Sequence, residues 1–505
     1  MRIVLALFAS VLFLQGQADV NGFWVFRTPV DDGTSRETFF DLKQSGQQVT
    51  GVMFQGRRRT TLSEGWIANG KLHFALNVNG QGGAVRVANY DGDLASGRLT
   101  TTTAAGATFT GVFERSSLEK AVPPRIAPPA LHDVPDNGLV RTPPMGWNSW
   151  NKFAGRVTAE DVRAMADAMV SSGMAKVGYV YVNIDDTWEL GRDAQGNPTT
   201  NKKFPDMKAL ADYVHSKGLK IGIYSGPGPK TCAGYEGSYG HEEQDAKQYA
   251  AWGIDYLKYD WCSADQIYTD DEMQAVYQKM GDALLKSGRP IVYSLCQYGR
   301  NGVWKWGAKV GGNLWRTTGD ISDRWDSLNR IGFGQAVMNK FTQLDIASAM
   351  KPGAFNDPDM LEIGNGGMTG DEYRLHMSLW SMLAAPLLAG NDLRTMSDEI
   401  KSILMNTEVI AIDQDKAVKP AKIVSENETS VVLARPLADG SIAVGLFNRS
   451  DAAATIAGTW SAIGLGGKQL EARDLWAHQV ISVSGDSFSV TVPRHGVVLL
   501  RVHAK

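Results

Sequence analysis

The central part of the chain alternates short apolar runs, each ending in polar residues, with stretches of helical periodicity. The eight runs lie at 144–147, 179–185, 220–224, 254–260, 290–297, 313–317, 353–357 and 386–392. Eight strand–helix units over roughly 280 residues are the expected size of a (β/α)8 barrel. The competing α/β layout, a doubly wound sheet, usually has a glycine-rich phosphate turn after its first strand, and none follows 144–147. The pattern therefore predicts the α/β class, with a (β/α)8 TIM barrel as the catalytic domain over residues 137–415.

The regions on either side of this domain read as all-β. Residues 19–118 form short runs broken by Gly and Asn/Asp turns, which predicts a small antiparallel β-barrel or sandwich. Its aromatic residues would suit either sugar binding or an ordinary β core. A proline-rich linker over 119–136 should stay extended and separate two folded units. Residues 416–505 return to short alternating strands, which predicts a C-terminal antiparallel β-sandwich.

The first 18 residues have the pattern of a secretory signal peptide. Arg2 precedes the apolar stretch 3–14, and small residues at Gly16 and Ala18 suit signal peptidase. A membrane anchor would need about 20 apolar residues, and this stretch is shorter. We therefore expect cleavage near Ala18 and a secreted or periplasmic protein without a membrane anchor.

Composition and motif spacing exclude several classes of function. The net charge of -3 gives no electrostatic footprint for nucleic acid. The sequence has no zinc-ligand spacing, no P-loop and no G-x-S-x-G elbow. Its carboxylates are scattered rather than grouped in a calcium loop. We therefore predict no metal and no cofactor, while the oligomeric state stays open.

The predicted strand ends are rich in carboxylates. These are Asp185, Asp186, Asp260, Asp320, Asp357 and Asp359, and aromatic residues such as Trp150 and Tyr224 accompany them. In a (β/α)8 enzyme the catalytic residues lie at the C-terminal ends of the strands. Glycoside hydrolysis needs two carboxyl groups across the scissile bond. The pattern favours a carbohydrate substrate, but composition does not select the two, and each Asp alone is more often a structural cap.

The segments at these strand ends resemble glycoside hydrolase family 27, which contains α-galactosidases and α-N-acetylgalactosaminidases. The matching motifs are RTPPMGWNSW (141–150), NIDDTW (183–188), FPDMKALADYVHSKGLKIGIYS (204–225), TCAGYEGSYG (231–240), DYLKYDWC (255–262), WRTTGDI (315–321), FNDPDML (355–361) and LLAGNDLR (387–394). The likeness runs through the barrel and, more weakly, into the C-terminal sandwich. It does not cover the N-terminal β domain.

The resemblance implies a role for two aspartates. Asp260, in KYDWC, would attack the anomeric carbon, and Asp320, in WRTTGD, would be the general acid/base. Retention of configuration follows from such a pair, and we expect their carboxyl groups to lie about 5–5.5 Å apart.

The resemblance also implies a sugar pocket and a disulfide. The substrate-binding residues would be Trp150, Asp185, Asp186, Tyr224, Lys258, Gln297, Arg316, Asp359 and Met360. Asp185 and Asp186 would bind the 4- and 6-hydroxyls, Lys258 the 3- and 4-hydroxyls, and Arg316 the 2-hydroxyl. Cys232 and Cys262 would pair, which leaves Cys296 free.

Three positions depart from the family pattern. Gln297 stands where Glu is usual, beside the 2-substituent, and Thr187 replaces a frequent Cys. The residue at the position of Trp261, next to the implied nucleophile, is usually smaller, so we expect a remodelled pocket entrance. The expected activity is exo-hydrolysis of terminal α-linked galactose from oligosaccharides or glycoconjugates. An α-N-acetylgalactosaminidase, a β-L-arabinopyranosidase and an inactive sugar-binding module are the alternatives.

Overall fold

The computed structural model describes residues 19–55, 58–79, 85–103, 105–327, 335–481 and 483–505. The predicted signal peptide and its cleavage site near Ala18 lie outside these residues. The chain divides into two compact units, with the boundary between Pro124 and Arg125, inside the predicted linker 119–136. Within the described ranges, no helix combines the length and apolarity needed to cross a bilayer.

The first unit is a closed antiparallel barrel. Its elements are β1 (Gly22–Pro29), β2 (Ser35–Ser45), β3 (Gln48–Gln55), β4 (Arg58–Thr61), β5 (Glu64–Ala68), β6 (Lys71–Asn79), β7 (Val85–Asp93), β8 (Arg98–Thr102), β9 (Thr108–Arg115) and the short helix α1 (Leu118–Ala121). Strands follow one another around the sheet, β1 pairs with both β2 and β9, and β4 attaches to β3. Of the two all-β forms that the sequence allowed, the barrel is the one observed.

Aromatic rings fill the interior of this barrel. The ring of Phe40 packs edge-on against Phe74 at 4.9 Å and Tyr90 at 5.4 Å, and Trp24 stacks on Phe113 at 4.6 Å. Side chains alternate between the two faces of a strand, so every second residue of these strands turns inward. The inward set is apolar and buried, which gives the unit a core of its own.

The second unit contains the predicted parallel barrel. In the described part of the chain its strands are β10 (Met145–Asn148), β11 (Tyr181–Asn183), β14 (Lys220–Ser225), β15 (Tyr256–Asp260), β16 (Val292–Cys296), β17 (Leu314–Arg316), β18 (Phe355–Asp357) and β19 (Leu387–Ala389), and a separate hairpin is formed by β12 (Glu189–Arg192) and β13 (Pro198–Thr200). Neighbouring barrel strands are parallel, and β19 pairs with β10. A parallel bridge between Leu361 and Ala389 joins the two ends of the sheet. The (β/α)8 prediction is confirmed.

Helices surround the barrel strands. They are α2 (Trp150–Phe153), α3 (Ala159–Ser171), α4 (Met207–Ser216), α5 (Glu242–Trp252), α6 (Met273–Lys286), α7 (Gly370–Leu383), α8 (Asp398–Leu404) and α9 (Thr407–Asp413). Helix α3 illustrates how the sequence sets them. Thr158 and Asp161 form a capping box at its start, and its buried residues Val162, Met165 and Met169 repeat at helical spacing. The helix therefore covers the sheet with one apolar face.

The C-terminal part is a two-sheet sandwich, as predicted. Its strands are β20 (Lys422–Glu426), β21 (Ser430–Pro436), β22 (Ile442–Asn448), β23 (Ala454–Thr459), β24 (Leu470–Asp474), β25 (Gln479–Ile481), β26 (Ser487–Val492) and β27 (Val497–Ala504). One sheet has the order β20-β21-β22-β27-β24-β25, and β23 pairs with β26 in the other. Val444 and Leu446 of the first sheet share a core with Ile456 and Val492 of the second.

The second half of the proline-rich segment lies against the second unit. The backbone N–H of Ile126 donates to Tyr239 Oη at 2.7 Å, that of His132 to Gln278 Oε1 at 2.8 Å, and that of Val134 to the Lys309 carbonyl at 2.7 Å. Residues 125–136 form no helix or strand, and these hydrogen bonds hold them against the barrel domain.

Candidate active site

A pocket opens at the C-terminal ends of the barrel strands. It is lined by Trp150, Asn151, Asp185, Asp186, Tyr224, Cys232, Lys258, Asp260, Tyr298, Arg316, Asp320, Asp359 and Met360. This set contains every predicted catalytic and substrate-binding residue except Gln297. Because the residues come from strand ends that are distant in sequence, the barrel itself brings them together.

Asp260 is the last residue of β15 and is buried at 4% exposure. Tyr298 Oη donates a hydrogen bond to its Oδ1 at 2.8 Å. Burial raises the pKa of Asp260 to about 6, and the Lys258 ammonium and the Tyr298 hydrogen bond oppose that rise. The negative charge of Asp320 raises the pKa of Asp260 further, because like charges disfavour ionisation. The carboxyl group is therefore mainly ionised at neutral pH.

Asp320 lies on the turn that follows β17, and its side chain is 43% exposed. The guanidinium of Arg316 joins it to the pocket floor. Arg316 Nη2 contacts Asp320 Oδ1 at 3.0 Å and Asp359 Oδ2 at 2.7 Å. Of the two aspartates predicted to be catalytic, Asp260 is therefore buried and Asp320 is reached by solvent.

Asp185 and Asp186 follow β11 and differ in their partners. Lys258 Nζ and Asn148 Nδ2 both donate to Asp185 Oδ2 at 2.9 Å. The backbone N–H of Ala233 donates to Asp186 Oδ2 at 2.8 Å. Burial raises the pKa of Asp186 to about 7, against the hydrogen bonds from the Ala233 N–H and the Thr231 side chain. The pair thus offers adjacent carboxyl groups held in fixed orientations.

The remaining predicted residues complete the walls and floor. Tyr224 ends near Cys262, with Oη 3.7 Å from Sγ. Trp150 begins α2, and its backbone N–H donates to Asn148 Oδ1 at 2.9 Å. Asp359 has a left-handed φ of 97° and accepts a hydrogen bond from the Met360 N–H at 2.8 Å. Positive φ is uncommon outside glycine, so the surrounding contacts hold this turn in place.

The predicted disulfide between Cys232 and Cys262 is present, and Cys296 is a buried free cysteine. The bond ties the loop after β14 to the segment that directly follows β15. Ala233, which binds Asp186, directly follows Cys232. Cys232, Cys262 and Asp260 also place their ligand atoms close together, but disulfide sulfurs are not available as thiolate metal ligands.

Gln297 differs from its predicted place at the pocket wall. It is 0% exposed, and among the described residues neither atom of its amide has a hydrogen-bond partner. Strand periodicity explains the position. Tyr293 and Leu295 of β16 alternate with residues that face the barrel interior, and Gln297, which follows the strand, continues their parity.

The same alternation places Trp261 on the outer side of β15, beside Tyr259. Its side chain is 2% exposed, its ring stacks on Tyr277 at 5.5 Å, and Nε1 donates to Asp265 Oδ1 at 2.5 Å. We expected it to remodel the pocket entrance, and the structure instead puts it in the core.

Tyr298, Asn151 and Cys232 line the pocket but were not among the predicted substrate-binding residues. Tyr298 could have been found from the same alternation. It lies two residues after Cys296, whose side chain faces the barrel interior, so Tyr298 is expected to face the same side. Its left-handed φ of 61° then turns the phenol toward Asp260, and no sequence pattern predicts that angle.

Comparisons with known proteins support one family. The family model described as alpha galactosidase A matches residues 142–415, and that of the alpha galactosidase C-terminal beta sandwich domain matches 427–502. An α-galactosidase from Cyamopsis tetragonoloba is 50% identical over 366 residues, which are 71% of this chain and 86% of the relative.

Solved structures give the same assignment. The chain is similar to α-galactosidase I from Mortierella vinacea, with a TM-score of 0.71, 38% identity and coverage of 74% of this chain and 99% of that one. It is also similar to the α-galactosidase from Saccharomyces cerevisiae with raffinose, with a TM-score of 0.68, 30% identity and coverage of 73% and 99%. The chain belongs to glycoside hydrolase family 27, the α-galactosidase family.

Proposed function

We propose that Asp260 is the nucleophile and Asp320 the general acid/base of this enzyme, a retaining α-galactosidase. Asp260 attacks the anomeric carbon while Asp320 gives its proton to the departing glycosidic oxygen. Asp320 then removes a proton from water, which attacks the same carbon and releases Asp260. Two inversions leave the product with the configuration of the substrate.

The contrast between the two carboxyl groups carries this assignment. Burial raises the pKa of Asp260 to about 6, but the Lys258 charge and the Tyr298 hydrogen bond oppose this rise, so Asp260 is mainly ionised at neutral pH. The half-exposed Asp320 is open to solvent, as an acid that meets the leaving group and later water must be. We expect the carboxyl groups to be about 5–5.5 Å apart, the separation typical of retaining enzymes.

The sugar-binding roles follow from the positions of the donors and acceptors. The Asp185–Lys258 pair offers an acceptor and a donor to adjacent hydroxyls, and Asp186 offers a further acceptor. Arg316, beside Asp320, suits the 2-hydroxyl. The remaining pocket residues in the proposal are Trp150 against the C6 arm, with Tyr224, Asp359 and Met360 on the floor. Gln297 would act only through its neighbours.

A panel of 4-nitrophenyl glycosides tests the glycone. We expect cleavage of the α-galactoside and little of the α-N-acetylgalactosaminide or the β-L-arabinopyranoside. The reverse order would overturn the proposal, and no cleavage of any of them would favour a sugar-binding module. Proton NMR of the first product tests retention, since α-galactose should appear before its mutarotation to the β-anomer. Raffinose, bound by the Saccharomyces cerevisiae relative, is the first natural substrate to assay.

Export completes the proposal. The signal-peptide pattern over residues 1–18 leads us to expect a mature protein that begins at Asp19. N-terminal sequencing of the exported protein tests this, and a retained Arg2 would contradict it.

A further inference from the structure

Lys340 is a fully buried lysine near the catalytic pocket that none of the family motifs includes. It lies in the 3-10 segment Val337–Ala349, which leads toward β18, and its relative exposure is 0%. Burying an ammonium group costs several kcal/mol unless hydrogen bonds and opposite charges compensate. A buried residue of this kind therefore needs a specific set of partners.

The partners of Lys340 are the two residues that precede Asp320. Lys340 Nζ donates to the carbonyl oxygen of Gly319 at 3.0 Å and to the hydroxyl of Thr318. The Gly319 carbonyl belongs to the peptide bond that leads directly into Asp320. Its position therefore controls where the Asp320 carboxyl group points.

The opposite side of this turn is held by Arg316. Its Nη2 donates to the Thr318 carbonyl at 3.1 Å and to Asp320 Oδ1 at 3.0 Å. Arg316 thus holds the pocket side of the turn and Lys340 the inner side. A short turn that contains glycine has many accessible backbone conformations, so two such contacts restrict it more than one would.

The charges around Lys340 also connect it to the pocket. Burial lowers the pKa of Lys340 to about 7, and the nearby Arg316 charge adds to this shift. The carboxylates of Asp359, Asp320 and Asp357 oppose it. These carboxylates compensate part of the cost of burying the ammonium. A residue that served packing alone could be apolar and would avoid this cost.

We propose that Lys340 is a positioning residue for the acid/base step, holding the Thr318–Gly319 turn so that Asp320 reaches the glycosidic oxygen. The inference rests on the proposed role of Asp320. Lys340 itself touches neither substrate nor the reacting atoms. Lys340 acts on the proton transfer from Asp320. The loss of activity when Lys340 is replaced should therefore depend on how much protonation the leaving group needs.

Lys340→Met tests the proposal, because Met keeps the length of the side chain and loses both hydrogen bonds. We expect kcat/KM for melibiose, whose sugar leaving group needs protonation, to fall at least about tenfold more than kcat/KM for 4-nitrophenyl α-galactoside. Thr318→Val removes one of the two contacts and should give a smaller change of the same kind. It also serves if Lys340→Met does not fold.

Two comparisons make the result decisive. Asn339→Ala disturbs the same segment, because Asn339 Oδ1 accepts a hydrogen bond from the Ala336 N–H. It should lower kcat/KM only slightly, and by the same factor for both substrates. Asp320→Ala is the reference for loss of the acid. If Asp320→Ala shows the leaving-group dependence and both Lys340→Met and Thr318→Val do not, the inference about Lys340 is wrong. If Asp320→Ala lacks the dependence, the proposed function itself fails.

Discussion

Tyr298 donates a hydrogen bond from its phenol to Oδ1 of Asp260 at 2.8 Å. Asp260, the proposed nucleophile, is thus held by a residue from the loop after the neighbouring strand β16, in addition to its own strand. A donor to the carboxylate stabilises the ionised form, which is the form that attacks.

Tyr298→Phe should therefore move the acid limb of the pH profile. Asp260 must be ionised to react, and its pKa of about 6 predicts that kcat/KM falls as the pH drops through that value. Loss of the hydrogen bond raises the pKa, so the limb should move to higher pH by up to about one unit. A profile of kcat/KM from pH 4 to 8 measures it. Tyr179→Phe, which loses a hydrogen bond to the Leu404 carbonyl, is the control and should not shift the limb.

Asp260→Asn should stabilise the protein at neutral pH. The folded protein holds the Asp260 proton up to about pH 6, whereas the unfolded chain releases it near 4, so the stability contributed by this group falls as the pH rises between these values. The difference of about two units corresponds to roughly 3 kcal/mol at pH 7. Thermal unfolding should show a higher Tm for the variant at pH 7 and no difference near pH 4. The exposed Asp133→Asn is the control, and an equal gain at both pH values would refute the explanation.

Gln297→Met should be neutral or stabilising, with little change in KM. The Gln297 amide is fully buried, and its two polar atoms have no partner among the described residues. Leaving such a group unsatisfied costs about 1–3 kcal/mol, which Met avoids at similar volume. Denaturant unfolding and galactoside kinetics together measure the effect. A raised KM with lower stability would show that Gln297 contacts the substrate after all.

Replacing both Cys232 and Cys262 by Ser should lower the stability and raise KM. The bond closes a loop with a sequence separation of 30, so its removal should cost about 3–4 kcal/mol in the free energy of unfolding. KM should rise because the same loop supplies the Ala233 N–H that holds Asp186. Urea unfolding and substrate titration measure the two effects. Dithiothreitol should reproduce them in the original protein and add nothing to the variant.

Much of the site could be predicted because its residues end consecutive strands. Asp185, Lys258, Asp260 and Arg316 lie at or near strand ends, and parallel strands in a barrel bring such positions to one rim. The resemblance of the surrounding motifs to the family then implied a role for each of them. The long, regular alternation of strands and helices made the barrel itself the firmest prediction.

The errors arise where a residue leaves the strand. Gln297 and Trp261 each directly follow a strand, and their sequence neighbours suggested the pocket, but the two-residue alternation sends both outward. Tyr298 reaches Asp260 through a positive φ, and Lys340 reaches the turn before Asp320 from a separate segment. Backbone angles and contacts at long sequence separation of this kind have no local signature in the sequence.

The two catalytic aspartates should respond differently to the leaving group. Asp260→Ala removes the nucleophile and should abolish turnover of every substrate. Asp320→Ala should reduce melibiose hydrolysis by about 100-fold or more but spare 4-nitrophenyl α-galactoside, because a good leaving group needs little protonation. Steady-state kinetics on both substrates separate the roles. If Asp320→Ala lost as much activity on 4-nitrophenyl α-galactoside as on melibiose, the two residues could not have these separate roles.

Trapping of the covalent intermediate tests the nucleophile most directly. A 5-fluoro α-galactosyl fluoride reacts quickly to form the covalent glycosyl-enzyme. This intermediate is hydrolysed slowly, so the sugar remains attached to the nucleophile. The protein would be incubated with this reagent, digested and examined by tandem mass spectrometry. We predict one labelled peptide, with the 5-fluorogalactosyl group on Asp260. A label on Asp320, Asp185 or any other residue would contradict the assignment.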